Sequence, residues 1–395
     1  MTEKDTSEGE KFHIPVGPQH PALKEPEHFL FTVDGERVVD VTPRIGYIHR
    51  GIEKLGESRN YIQNIYLAER ICGICSHSHT TAYCTAVETL LGLEIPDRGN
   101  WIRTYVFELE RIHSHLLWVG VAAHEIGFDT LFYYTWRDRE HVMDMLEQIS
   151  GNRVNYAINT IGGVRRDMTP EIKERAYKGL DAMEERLKYY TDVVLKEKTI
   201  AARVAGVGKI TKEQAIELCA VGPNARCCGV PIDVRKDDPH AAYAEIPFKV
   251  ITHDSGDTLG QVIVRVLEVF ESINMCRYML DNMPSGEIRT KAKRKVPPGE
   301  TVIRVEAPRG EDIHYLKSNG TDKPERWKVR APTLGNIPSV CERLKGGYIA
   351  DIPIVLAGID PCFSCTDRVV LVDKNSKRRI NTTLTELRLN PSKVI

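Results

Sequence analysis

Four thiols arrive as two Cys-x-x-Cys pairs, Cys72/Cys75 and Cys362/Cys365, with 286 residues between them. The first pair lies in Arg70-Ile71-Cys72-Gly73-Ile74-Cys75-Ser76-His77-Ser78-His79 and the second in Asp360-Pro361-Cys362-Phe363-Ser364-Cys365-Thr366-Asp367-Arg368. Thiolates delivered in pairs suit a soft metal. Three simpler arrangements use the same residues. A structural zinc ribbon sets its pairs roughly 15–20 residues apart on polar knuckle turns. Here the separation is far larger, and the first pair falls inside an apolar helical pattern. A thioredoxin-like dithiol needs a strand–CxxC–helix unit, which neither pair has. An iron–sulfur cluster also takes four cysteines, and spacing alone leaves that option open. The other six cysteines (Cys84, Cys219, Cys227, Cys228, Cys276, Cys341) lack paired metal spacing and read as core or loop thiols.

The elements that must carry these groups are mostly helical. Tyr61–Leu91 is apolar at helical spacing through Ile62, Ile65, Tyr66, Ile71 and Ile74, so Cys72 and Cys75 interrupt or end a buried helix. Gly73 between them permits an unusual backbone. Further helices are expected over Trp101–Val121 and Arg139–Ile149, and from the Thr169-Pro170 start to about Leu195. Thr211-x-x-Gln214 reads as a capping box, and Asp257–Leu280 as a long helix with Leu259, Val262, Ile263, Val266, Leu267, Phe270 and Ile273 on its apolar side. A last helical stretch lies near Ile337–Leu344. Phe29–Val33 and Arg37–Val41 flank Asp34-Gly35, a hairpin signal. Lys291–Gly299 reads as a basic loop, and Val302–Glu306, Ile313–Leu316 and Trp327–Arg330 as short strands. The fold class expected is mainly α with small β regions (α+β), with an N-terminal β-hairpin and a C-terminal mixed region. Residues 1–12 read as a flexible tail.

Composition excludes several functions. The 395 residues are 42% hydrophobic and 28% charged, as in ordinary globular proteins. A formal net charge of −1 gives no electrostatic case for nucleic acid or an anionic membrane surface. No run approaches the roughly 18–20 apolar residues of a membrane span. His115–Ala123 and Ile352–Ile359 suit buried core, so any membrane link is expected through partner subunits. The polar first twelve residues lack a secretory h-region, so a cytoplasmic, reduced location is expected, where paired cysteines serve metals or redox.

The two cysteine motifs together resemble the paired signatures of the large subunit of [NiFe] hydrogenases. Other segments are similar to the large hydrophilic quinone-site subunit of respiratory complex I: Gly17-Pro18-Gln19-His20-Pro21-Ala22-Leu23, Ile45-Gly46-Tyr47-Ile48-His49-Arg50-Gly51, Arg111-Ile112-x-Ser114-His115, Gly162-Gly163-Val164 and Gly222-Pro223-x-x-Arg226. This mixture resembles the energy-converting, membrane-associated [NiFe] hydrogenases, and it runs from about Pro15 to Arg368. The complex I subunit lacks the four cysteines; this chain keeps them all. The resemblance implies a hydrogenase-type large-subunit domain over residues 13–368.

The same resemblance implies roles. Cys72 and Cys362 would bind nickel terminally, and Cys75 and Cys365 would bridge it to an iron that carries carbon monoxide and cyanide. Splitting dihydrogen releases a proton, so a base must stand beside the open site. Cys362 is the expected acceptor, with Arg309 of Glu306-Ala307-Pro308-Arg309-Gly310 held over the vacant position and donating to the diatomic ligands. Glu25 would relay the proton onward. His79 would hydrogen-bond a bridging sulfur, while His77 is incidental. Arg50 and Glu53 would form a buried polar pair near the centre. Arg368 stands where many relatives place a metal-binding histidine, and a cation cannot ligate a metal, so the resemblance gives no expectation for an additional metal. His20, His113, His115 and His124 are expected to serve structure or a proton path, a satisfied buried histidine being the default for each. The implied partners are a small subunit with a [4Fe-4S] cluster, ferredoxin, membrane ion-translocating subunits and a maturation protease. That protease would cut between Arg368 and Val369 and remove residues 369–395. The competing expectation is a complex I-like quinone or sulfur-compound reductase subunit without nickel.

Overall fold

The computed structural model describes residues 11–366 and two short strands, Leu371–Val372 and Arg379–Ile380. The junction after Arg368 lies outside the described residues. An antiparallel sheet opens the fold, with β1 (Lys11–Val16), β2 (His28–Asp34) and β3 (Arg37–Arg44) in that order. Alternation along β2 buries Phe29, Phe31 and Val33 on one face. Asp34 pairs with Arg37, leaving a two-residue turn with Gly35 at φ 55°, as the Asp34-Gly35 signal requires. β1 was not expected, and it takes in Lys11 and Phe12, which the sequence reading left in the tail.

Next come α1 (Ile52–Ser58), α2 (Tyr61–Glu69) and α3 (Ser76–Leu91), so the expected Tyr61–Leu91 helix is broken where the first cysteine pair sits. The break does not use a left-handed Gly73. A Cβ at that position would meet only Val154 Cγ1 at 3.6 Å, an ordinary contact. The long helices α4 (Asp97–Glu125) and α5 (Asp129–Ser150) follow, each longer than the stretch expected from apolar spacing. A two-residue ladder, β4 (Asn159–Thr160) with β5 (Gly163–Val164), precedes α6 (Pro170–Lys196), which Thr169 caps through Ile172 N–H. The connecting helices are α7 (Lys198–Val204), α8 (Lys212–Glu217), α9 (Pro223–Arg226) and α10 (Val234–Asp237). The Thr211/Gln214 capping box opens α8 as expected. Asp257 caps α11 (Thr258–Asn282) through Gly260 N–H.

A second antiparallel sheet then forms from β6 (Gly299–Ala307), β7 (Gly310–Ser318) and β8 (Pro324–Arg330). The last described helices are α12 (Pro332–Leu344) and α13 (Ile352–Gly358). No helix among the described residues is long and apolar enough to cross a membrane. The fold is therefore the expected α+β arrangement, with helices dominant and both ends of the chain contributing sheets.

α4 lies at the centre, packed against α5, α11 and α13. It is buried on all sides, and so it carries Arg103, Glu108, Glu110, Arg111, His113 and His115 into the interior beside Ile102, Leu109, Ile112 and Trp118. Trp118 donates to Ala357 O at 2.7 Å, with Arg265 stacked 4.0 Å over its ring, which ties α4 to the helix leading into the second cysteine pair. Leu146 of α5 is fully buried in this core. Leu146→Ala is expected to cost about 2–5 kcal/mol through lost burial and a residual cavity. Urea midpoints would read that loss, and a change below about 1 kcal/mol would contradict tight packing at α5.

Candidate metal centre

The two cysteine pairs sit at ends of helices, where the chain turns and side chains converge. Cys72 lies between α2 and α3, and Cys75 is the N-cap of α3. The second pair follows α13. Asp360 takes φ 52°, a left-handed turn that short polar side chains tolerate, and Pro361 prevents the helix from continuing. Cys362–Cys365 then forms a single tight turn. The four sulfurs lie within 4.8 Å of one another, and all four residues are buried. Cys362 and Cys72 sulfurs are 3.1 Å apart, far longer than a disulfide of about 2.05 Å. The sequence separation of the pairs is closed by the fold.

Backbone and side-chain donors hold the loops. Ile74 and Cys75 N–H point at Cys72 Sγ at 3.3 and 3.4 Å. Thr333 Oγ1 accepts from Cys362 N–H at 3.0 Å. Hydrogen bonding from Cys362 and its neighbours, together with Arg309, drops the Cys72 thiol well below its ordinary range. Burial and the neighbouring sulfurs push Cys365 up, since a second negative charge beside the first is costly.

Arg309 sits at the tip of the hairpin between β6 and β7, where Ala307 pairs with Gly310. Its Nε donates to Asp360 O at 2.7 Å and its Nη2 to Asp360 Oδ1 at 2.9 Å. Burial alone would neutralise this guanidinium, but Asp360, Cys362, Cys72 and Cys75 keep it charged. Burial would likewise raise the Asp360 carboxyl; Arg309, Lys24, Arg265 and His115 hold it below its usual value. Arg309 Nη1 is buried and has no partner. The tip reaches inward because Gly310 and Gly222 pack back to back: a Cβ on Gly222 would meet Gly310 Cα at 2.4 Å and Arg309 O at 2.5 Å.

Glu25 is half-buried and its Oε2 accepts from Ser364 N–H at 2.8 Å, while Ser364 Oγ stands 3.3 Å from Cys362 Sγ. His79 is fully buried against Asp312, and its Nε2 has no partner. The expected buried Arg50–Glu53 pair takes another form. Arg50 is exposed and donates to the carbonyls of Arg70 at 2.8 Å, Ile71 at 2.6 Å and Ser364 at 2.8 Å, clasping the two cysteine segments together. Half-buried Glu53 accepts from Lys328 at 2.8 Å and from Val329 N–H at 3.0 Å on β8. His113 and His115 are buried and bonded, whereas His20 and His124 are exposed, against expectation.

Sequence reasoning missed Glu110. Cys75 occupies a helix N-cap but its side chain caps nothing. Glu110 of α4 does that work from across the core, accepting from His77 N–H at 2.6 Å, Ser78 N–H at 3.0 Å and Ser78 Oγ at 2.5 Å. The Cys75 sulfur is thereby left free. Burial outweighs these donors and lifts the Glu110 carboxyl from 4.5 to about 7. No local pattern announces a cap supplied 32 residues away.

Four buried convergent sulfurs, a charged guanidinium with an idle N–H, and an imidazole nitrogen without a partner fit a thiolate-bound metal group. The fold and site define a subunit of the respiratory-complex and hydrogenase type. Residues 125–298 and 289–368 match the family described as respiratory-chain NADH dehydrogenase, 49 Kd subunit, and residues 50–122 match nickel-dependent hydrogenase. The chain is 45% identical over 380 residues to the membrane-bound hydrogenase subunit alpha of Pyrococcus furiosus, covering 92% of this chain and 89% of that one. It is 40% identical over 358 residues to the carbon monoxide-induced hydrogenase of Rhodospirillum rubrum, covering 90% and 99%. A solved structure of the membrane-bound sulfane sulfur reductase, an archaeal respiratory membrane complex, contains a chain of TM-score 0.86 at 33% identity, covering 91% and 98%. The chain belongs to the family that unites energy-converting hydrogenase large subunits with the 49 Kd subunit of complex I.

Gly222→Ala is expected to push the Arg309 tip away from the sulfurs at a stability cost of about 1–3 kcal/mol. Circular dichroism should keep its helical signal while metal retention falls; unchanged retention would mean the tip need not sit where it does. Glu110 gives a pH signature. Its raised carboxyl contributes stability that is full below about pH 4.5 and is lost as pH rises through about 7. Glu110→Gln cannot ionise, so urea midpoints measured across that window should slope less steeply than in the wild type. Parallel slopes would contradict the assignment.

Proposed function

We propose that this chain is the catalytic large subunit of an energy-converting [NiFe] hydrogenase, interconverting protons plus electrons with dihydrogen. The observation that carries this reading is the convergence of Cys72, Cys75, Cys362 and Cys365 within 4.8 Å in a buried pocket. Such a set can hold nickel through Cys72 and Cys362, and an iron bearing carbon monoxide and cyanide through shared Cys75 and Cys365. When bound, that pair supplies the two-electron making or splitting of dihydrogen. The chain's own residues handle charge and protons. Arg309 presents its idle Nη1 beside the sulfurs and offers a positive charge and a donor to anionic ligands there. Cys362 Sγ takes or gives the proton at the site. Ser364 stands between it and Glu25, whose carboxylate reaches half-buried surface and connects the pocket to water. His79 steadies a sulfur from α3. Electrons enter from a small subunit carrying a [4Fe-4S] cluster, with ferredoxin as the donor. Membrane partners couple the reaction to ion movement and seat the chain on the cytoplasmic face.

A second reading has a specific observation behind it: the likeness to a chain of the sulfane sulfur reductase. On that reading the subunit serves a complex I-like quinone or sulfur-compound reductase and holds no nickel. Metal analysis separates the two. The hydrogenase reading expects nickel and iron near one each per chain, with metal carbonyl and cyanide stretches in the infrared. Matured, active complex lacking nickel and those stretches would reject it. Glu25→Gln is expected to slow proton–deuterium exchange by about 100-fold or more while metal content holds. Unchanged exchange would remove Glu25 from the proton path.

A further inference from the structure

The Gly162-Gly163-Val164 motif takes no part in the metal centre; it anchors a basic segment. Val164 N–H donates to Ile288 O at 3.0 Å, and Thr290 N–H donates to Gly162 O at 2.8 Å. The two glycines let the backbones touch. A Cβ on Gly162 would meet Thr290 O at 2.2 Å, and one on Gly163 would meet Ile288 O at 2.2 Å. The segment is tied again at Val296, whose N–H donates to Thr321 O at 3.2 Å and whose carbonyl accepts from Ser318 Oγ at 2.9 Å. Residues 288–296 therefore form a strap held at one end by β5 and at the other by the end of β7 and the turn after it.

The strap and the start of α2 wall a cavity of about 790 Å³. Thr290 and Ala292 are half-buried, while Arg289, Lys291, Lys293, Arg294 and Lys295 are exposed. Among the described residues, no carboxylate forms an ion pair with any of these five cations. Five like charges within residues 289–295 repel one another, in a chain whose net charge is only −1. The opposite wall is apolar. Ile62 lines the cavity and is 52% exposed, with Tyr66, 43% exposed, one turn further along α2. Tyr61 and Ile161 also line it, and both belong to the apolar cluster that contains the four cysteines. Glu287 and Asp322 add two carboxylates to the lining.

This mixture selects an occupant. A flat anionic bilayer cannot enter a concave site, and the two carboxylates repel it. The phosphates of a nucleic acid would meet the same repulsion. A polypeptide sets its charges and apolar side chains at separate points, so it can place carboxylates on the cations and apolar groups on Ile62. We propose that this cavity docks an acidic polypeptide segment of a neighbouring subunit, with carboxylates of that segment on Arg289, Lys291, Lys293 and Arg294. Docking there braces α2, whose far end leads into Cys72. Neither nickel nor dihydrogen enters the argument, so it holds on either functional reading.

Cross-linking of the assembled complex tests this. A carbodiimide joins a carboxylate to a lysine amine as an amide; it takes up the water lost and leaves as a urea. Peptide mass spectrometry is expected to find Lys291, Lys293 or Lys295 joined to a segment of another subunit rich in Asp and Glu. Lysines left unjoined there, or joined only within this chain, would overturn the proposal. The combined Lys291→Glu, Lys293→Glu and Arg294→Glu variant is expected to lower recovery of that subunit about 10-fold or more. Lys291→Arg with Lys293→Arg is expected to keep it. Full recovery with the charges reversed would overturn the proposal. So would full recovery together with lost binding to phosphatidylglycerol vesicles, which would assign the strap to lipid. If circular dichroism shows the charge-reversed chain unfolded, the cross-links of the wild-type complex decide alone.

Discussion

A thiolate site needs its sulfurs brought together and kept available, and that requirement organises the surroundings of these four cysteines. Ile74 and Cys75 N–H reach Cys72 Sγ, and other polar groups of the two loops are satisfied from elsewhere. Glu110 caps α3 in place of Cys75. Arg50 takes the carbonyls at the end of α2 and the carbonyl of Ser364, so one guanidinium spans both cysteine segments. Thr333 receives the Cys362 N–H. His113 accepts from Arg139 at Nδ1 and stands 3.1 Å from the Ile74 carbonyl through Nε2, bracing the first loop from α4. Among the buried groups around the sulfurs, Arg309 Nη1 and His79 Nε2 remain without a partner.

Such a site demands many charges in the interior, and the core pairs them. Arg226 reaches Glu268 and Glu306, each at 2.7 Å, and Arg235 joins Asp233 at 2.7 Å to Glu108 at 3.2 Å. Arg111 closes on Glu108 and also donates to the Glu306 carbonyl at 2.7 Å, three residues before Arg309. Breaking one member of such a buried set costs about 3–5 kcal/mol, because its partner is stranded. The network therefore stiffens the hairpin that carries Arg309. It also explains how α4 can be polar and yet central: its charged groups pair with buried partners such as Glu88, Arg235 and Glu268, while Leu109, Ile112 and Leu116 lie in the apolar core.

The sequence was informative wherever chemistry and local pattern coincide. The cysteine pairs are named by residue type and spacing and come together; Arg309, Glu25 and His79 were named by the family resemblance, and Arg309 and Glu25 bond to the segment that carries the second pair. Long helices with apolar periodicity were legible, as were capped starts such as Thr169-Pro170 and Thr211 with Gln214. Most of the misses share a cause: they depend on a contact between residues far apart in sequence. β1 is different, since Phe12, Ile14 and Val16 alternate with Lys11, His13 and Pro15. Only Pro15 and its place next to the polar first residues argued against a strand, which pairs along β2. Glu110 looks like any acidic residue on a helix. Arg50 was noticed, but its backbone acceptors leave no trace in residue types, so a pairing with Glu53 was expected instead. Asp312 and His314 read as ordinary alternating strand residues until α3 sets His79 against them.

Nickel K-edge X-ray absorption on the matured complex tests the account most directly. The predicted result is a first shell dominated by sulfur, which loses sulfur when Cys72 or Cys362 is replaced by serine. A nickel shell of nitrogen and oxygen atoms, or one indifferent to those replacements, would contradict it.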